Sequence, residues 1–231
     1  MTKVKTSGGS AGVAIEHLAV TIPSQDAKLE GDLSIPTSAL GAVVFAHGSG
    51  SSRHSPRNRY VAEILNESGL ATLLMDLLTE DEQQVDLQTG HLRFDIPLLA
   101  GRLVAVTQWL SRHPEAAKLP MGQFGASTGA AAALVAAAEL PNLIHAVVSR
   151  GGRPDLACPA LARVQAPTLL IVGGADAVVL DLNQQATTLL RCEHALKVVP
   201  GATHLFEERG ALEKVAALAR DWFVEKLGPR A

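Results

Sequence analysis

Residues 121–139 read MGQFGASTGAAAALVAAAE. A short apolar run, Met121 to Phe124, leads into a serine bracketed by glycines, Gly125-Ala126-Ser127-Thr128-Gly129, and then into an alanine-rich helical stretch over 129–139. Strand, sharp turn and helix in immediate succession lift the turn residue above the end of a sheet, the setting that G-x-S-x-G requires. Flanking side chains would clash on so tight a turn; Gly125 and Gly129 have none, and Ala126 and Thr128 are small. The plainer account is a glycine turn that lets the helix pack close to its strand, which the alanines would also suit. A phosphate-binding loop does not fit, because no Gly-Lys-Ser/Thr follows and G-x-G-x-x-G cannot be aligned here.

Similar apolar runs recur on both sides, at 42–46 (AVVFA), 71–75 (ATLLM), 145–149 (HAVVS), 168–172 (TLLIV) and 196–199 (LKVV). Continuous apolar character of this length marks strands buried on both faces, as in parallel sheets. Helical patterns separate most of them: Leu99, Leu103, Val106 and Leu110 share one face of 96–112, and Leu212, Val215, Ala219 and Trp222 mark a last helix. Two alternating segments, Val13 to Ile22 and Leu29 to Ile35, precede all of this and flank a polar turn with Gln25 and Asp26, as an antiparallel hairpin would. The expected fold is α/β: a three-layer α/β/α sandwich with a mostly parallel eight-stranded sheet and an N-terminal antiparallel hairpin. Ligands of such sheets bind at the carboxyl ends of the strands. Each candidate residue can therefore be sorted by the end of the strand it follows.

The chain has 231 residues, enough for one domain of this kind, and 13–231 are read as that domain. Residues 1–12 carry positive charge with no apolar run behind them and are expected to form a flexible tail rather than a secretory signal. Lys plus Arg number 20 and Asp plus Glu 23, a net charge of −3 without blocks of either sign. That excludes a nucleic-acid footprint or a polybasic membrane patch. Aromatic residues at 3% leave no stacking platform. The longest apolar stretch, 130–138, is half a membrane span. Cys158 and Cys192 have no metal-type spacing, and a reduced, cytoplasmic chain is expected. No metal is expected.

A serine hydroxyl needs a base to take its proton. Of eight histidines, His145 and His194 stand at the amino ends of their strands, His113 closes a helix and His17 lies in the hairpin. His54 and His91 lie in polar loops. His204 follows Val198-Val199-Pro200-Gly201, beyond the carboxyl end of the last strand and on the serine's side. An acid must hold the imidazole's tautomer. Asp176 follows TLLIV through Gly173-Gly174, and the chain order Ser, Asp, His favours it. Asp76 and Asp155 also stand on the correct side and remain rivals, although either would serve a turn.

His47-Gly48-Ser49-Gly50-Ser51-Ser52 follows the strand AVVFA directly. Backbone N–H groups in such a turn can meet a negative oxygen developing on an attacked carbonyl, and those of Ser49 and Thr128 are the expected pair. His47, Gly48 and Gly50 are read as supporting the loop, His47 through hydrogen bonds rather than proton transfer. Arg53, His54 and Arg57 are assigned to solvent.

The HGSGS loop, the GASTG elbow, the GGAD turn and the GATH turn, in this order and at these strand positions, resemble the α/β-hydrolase superfamily over about residues 13–227. The compact size without a large cap insertion is most similar to the dienelactone-hydrolase-like branch. That branch's namesake carries cysteine in G-x-C-x-G; Ser127 here turns the expectation from the lactone towards carboxylic esters. The resemblance implies acyl transfer through Ser127, His204 and Asp176, with no cofactor and a small-molecule ester as partner. It leaves monomer and homodimer open, and it leaves three other outcomes: an acyltransferase or perhydrolase with the same triad, or a non-catalytic scaffold. The segment 150–166 is too short for a cap. The polar connection 77–95 is expected to wall an open site suited to short acyl groups.

Overall fold

Strands β1 (Ile15–Ser24) and β2 (Ala27–Pro36) pair antiparallel along their full length, from Ile15 opposite Pro36 to Ser24 opposite Ala27. The structure, a computed structural model, describes residues 14–24 and 27–229; the expected tail and the turn at Gln25 and Asp26 lie outside them. The core strands follow: β3 (Gly41–Ala46), β4 (Leu70–Met75), β5 (Met121–Ala126), β6 (Ile144–Arg150), β7 (Thr168–Gly173) and β8 (His194–Val199). The sheet order is β1-β2-β4-β3-β5-β6-β7-β8. β2 meets β4 antiparallel and every later pairing is parallel, so the expected hairpin and eight-stranded mixed sheet are both present.

Among the described residues seven α-helices cover the sheet: α1 (Pro56–Glu67), α2 (Glu80–Thr89), α3 (Ile96–Leu110), α4 (Thr128–Glu139), the four-residue α5 (Cys158–Leu161), α6 (Ala177–Leu189) and α7 (Ala211–Leu227). Strand alternation sends successive side chains of β3 to opposite faces. Ala42, Val44 and Ala46 enter one core with residues of α3 and α4. Val43 and Phe45 enter the other with residues of α1 and α7. Alanines at 130–133 and 136–138 are buried and bring α4 close onto β5.

The connection from β3 leads through α1 to β4 on one side, whereas the next strand in the chain, β5, pairs with β3 on its other side. Adjacent strands whose following connections diverge leave a crevice between their carboxyl ends. The loops after β3 and β5 open into it.

The 77–95 connection is not irregular. Thr79 accepts the Glu82 N–H while the Glu82 carboxylate accepts the Thr79 N–H at 2.8 Å, a capping box that starts α2. A 3₁₀ turn, Leu92–Phe94, completes the excursion. The segment 150–166 carries only a 3₁₀ turn, Pro154–Ala157, and α5, and no cap. Among the described residues no helix is long and apolar enough to cross a membrane.

Candidate active site

β5 runs two residues further than its apolar stretch suggests, to Ala126, and delivers Ser127 directly to the turn. Ser127 has φ 51° and ψ −118°, left-handed backbone that a serine adopts only when its surroundings impose it. The glycines impose it. A Cβ on Gly125 would stand 2.4 Å from the Ala130 Cα, and one on Gly129 would stand 2.3 Å from the Ala46 carbonyl oxygen. Only bare backbone lets α4 turn so soon against β5 and β3. The Ser127 N–H donates to the Arg150 carbonyl at 3.1 Å, and its own carbonyl accepts the Arg153 N–H at 3.2 Å.

Asp176 follows β7 and stands at the N-cap position of α6, where its side chain makes no capping bond. His204 follows β8. The His204 Nδ1 lies 2.7 Å from the Asp176 Oδ2, and its Nε2 lies 3.2 Å from the Ser127 Oγ. An ionised carboxylate only accepts, so Nδ1 carries the proton and Nε2 is left as the acceptor for the serine hydroxyl. Two loop-to-loop bonds hold the acid and the base together: Gly174 N–H to the Val199 carbonyl at 2.8 Å and Ala175 N–H to the Ala202 carbonyl at 2.9 Å.

The rival carboxylates are engaged elsewhere. Asp76 accepts the Arg53 backbone N–H at 2.7 Å and pairs with the Arg53 guanidinium. Asp155 accepts two bonds from the Arg153 guanidinium, at 2.8 and 2.6 Å. The assignment of arginines to solvent is corrected: Arg53 braces Asp76, and Arg57 reaches Glu207 at 3.1 Å. His54 is exposed, as expected.

His47 is 8% exposed. Its Nδ1 bonds the Gly48 carbonyl at 2.9 Å and must donate; its Nε2 accepts the Leu77 N–H at 3.0 Å. Both bonds need the neutral ring, and burial pushes its pKa below the usual histidine value, against a smaller opposing pull from the Gly48 bond and Asp76. The ring ties the loop after β3 to the loop after β4. A Cβ on Gly48 would stand 3.2 Å from the Ser127 Cβ, which measures how closely this loop passes the elbow. Ser49 and Thr128 line the same cleft. Thr128 is the first helical residue of α4, so its N–H has no partner in the helical ladder. Leu77, Leu78 and Leu87 form the apolar side of this cleft, so the 77–95 connection does border it.

Arg150 escapes the sequence reading. It closes β6 at the carboxyl end, and with Arg57, Ser127 and His204 it lines a second cleft. The signal available was an arginine ending an apolar run on the serine's side of the sheet.

A model of the dienelactone hydrolase family matches residues 29–225. The crystal structure of dienelactone hydrolase from Anabaena variabilis is 58% identical, with a TM-score of 0.91 over 92% of this chain and 99% of that one. Est1E from Butyrivibrio proteoclasticus, 18% identical with a TM-score of 0.77 over 90% of this chain and 98% of its own, is alike in fold. Two Mycobacterium tuberculosis proteins, each named "Putative phosphoribosyl transferase", are 61% identical over 200 residues, 86% of this chain. The chain spans 44% of the length of these curated relatives.

Proposed function

This chain belongs to the dienelactone hydrolase family, and on that premise we propose that it hydrolyses carboxylic esters or lactones of small acids through an acyl-serine at Ser127. The observation that carries the reading is the continuous hydrogen-bonded line from Asp176 through His204 to Ser127, 2.7 and 3.2 Å long, ending on a serine held in left-handed backbone. Ser127 Oγ attacks the carbonyl carbon as His204 Nε2 takes its proton, and Asp176 steadies the imidazolium. The oxygen that becomes negative is met by the backbone N–H groups of Ser49 and Thr128. When the tetrahedral centre collapses, His204 returns the proton to the departing alcohol. Water, deprotonated by the same nitrogen, then releases the acid. Short acyl groups suit the cleft beside Leu77 and Leu87, over which the described residues place no cap. Two free thiols, Cys158 and Cys192, suit a reducing cytoplasm. Phosphoribosyl transfer is not carried over from relatives of which this chain spans less than half.

A fluorophosphonate probe tests this directly. Peptide mass analysis should place the label on Ser127 and nowhere else. Ser127→Ala and His204→Ala should each lower turnover of a short-chain ester by about 10⁴-fold or more. Label on another residue, or turnover that survives Ser127→Ala, would overturn the assignment.

A further inference from the structure

The second cleft contains an unneutralised buried cation beside the nucleophile. Arg150 is 7% exposed, its Nε and Nη1 are buried with no hydrogen-bond partner, and among the described residues no carboxylate pairs with it. Its neighbour in the cleft is another cation, Arg57, which among the described residues pairs only with the exposed Glu207 and whose Nε is likewise without a partner there. Burial and the repulsion of Arg57 draw the Arg150 pKa down to about 10, which still leaves it charged at neutral pH. A guanidinium desolvated without a counter-charge is costly to keep. The cost is offset when a ligand supplies the missing anion.

The rest of the cleft suits such a ligand. Ser55, Arg57 and Asn58 are the cap and first turn of the twelve-residue helix α1, whose amino end favours negative charge. Ser49 and Ser51 add hydroxyls from the loop after β3. Ser127 and His204 line the same space.

Resting on the hydrolase reading above, we propose that Arg150 and Arg57 bind a phosphate group carried on the alcohol half of the ester that Ser127 cleaves. The alcohol half is indicated because His204, which protonates the departing oxygen, faces this cleft. Phosphate is favoured over carboxylate because three terminal oxygens can meet two guanidinium forks and the helix end together, whereas a planar carboxylate is satisfied by one fork. Arg150 and Arg57 are thus specificity residues.

The test compares kcat/KM for three esters of one short acid whose alcohol halves carry a phosphate, a carboxylate or no charge. The phosphate ester should be preferred over the uncharged one by about 30-fold, the scale of a charge-assisted hydrogen-bond pair. Arg150→Met should bring that ratio to within about threefold of one, and Arg150→Lys should keep part of it. Should Arg150→Met fail to fold, inorganic phosphate is the second probe: it should inhibit hydrolysis of the uncharged ester competitively at millimolar concentration, and less well in Arg57→Gln. A wild-type protein indifferent to phosphate in both assays, a preference that survives Arg150→Met, or a stronger preference for the carboxylate ester would each overturn the proposal. Labelling of Ser127 separates the two failures. With label but no phosphate preference only the subsite falls; with no label the hydrolase reading falls as well.

Discussion

Ser127 holds a backbone conformation that costs a non-glycine residue about 1–3 kcal/mol, and the sequence announces it only through the two glycines that make room. Ser127 and His204, the proposed nucleophile and base, were legible because each lies beyond the carboxyl end of a strand, Ser127 next to β5 and His204 one short turn after β8. Asp176 was less so, since Asp76 and Asp155 follow strands in the same way. What separates them is the arginine each rival meets, Arg53 across 23 residues and Arg153 two residues before. Only the first of these is a contact that sequence neighbourhood conceals. His47 gives the residue scale its pH dependence. Its pKa is lowered in the fold from 6.5, so between that value and the lower one the unfolded chain binds more protons than the folded chain. Stability is therefore full above pH 6.5 and declines as the pH falls below it, with a limiting slope for one proton of about 1.4 kcal/mol per pH unit. Urea unfolding followed from pH 8 to pH 5 should show that decline, and His47→Gln should flatten it whatever it does to stability at pH 8. An unchanged slope in the variant would mean that groups other than His47 cause the decline.

At the scale of elements, α2 is the one that pattern could not supply. Val85 and Leu87 are exposed and share no apolar face with a neighbour, so hydrophobic periodicity is silent over Glu80–Thr89. The readable signals were its ends: Thr79 and Glu82 in capping-box spacing, and Gly90 in left-handed backbone at the carboxyl end. With so little apolar surface, the helix depends on polar anchors. Asp86 holds the following turn through the Arg93 backbone N–H at 3.0 Å and its Nε at 2.6 Å. Glu82 reaches Arg102 of α3 at 2.6 Å, and Arg102, 3% exposed, also donates to the Leu77 carbonyl at 2.8 Å. The Arg102 guanidinium holds the Glu82 carboxyl down to about 2. That contribution is complete above the ordinary glutamate pKa of 4.5 and is lost as the pH falls towards 2. Glu82→Gln strands a buried cation and should cost on the order of 3 kcal/mol at pH 7. The loss should shrink as acid protonates the wild-type carboxyl. Chemical denaturation of both proteins at pH 7 and pH 3 measures both quantities, and a loss equal at the two pH values would show that the charge on Glu82 is not what holds α2 over the cleft.

In the whole molecule the three groups of the line come from the connections after β5, β7 and β8, and the loop that faces them comes after β3. Strands buried on both faces must be continuous apolar runs, which is why their number and positions could be read. Their order could not, because six such runs are interchangeable by pattern. β8 alone shows its edge position, with Lys197 and an exposed Val198 in the strand. The same double burial predicts how the molecule unfolds. β3 places Ala42 and Val44 in the core beneath α3 and α4, and Val43 and Phe45 in the core beneath α1 and α7, where Phe45 packs on Phe124 with ring centroids 4.8 Å apart. Neither core can open without drawing strands from the other. Trp109 packs against the first core and Trp222 against the second, so the two tryptophans of the chain report one layer each. In Trp222→Phe the fluorescence of Trp109, and in Trp109→Phe that of Trp222, should follow urea with the same midpoint as far-UV circular dichroism of the same variant, as a single cooperative transition requires. Labelling of Ser127 should disappear over that transition too, since the elbow is bonded to β6 through the Arg150 carbonyl rather than resting on a separate lobe. A Trp109 transition that precedes the circular dichroism would show that the layer of α3 and α4 melts alone, and the strained serine would then owe its conformation to α4 rather than to the sheet.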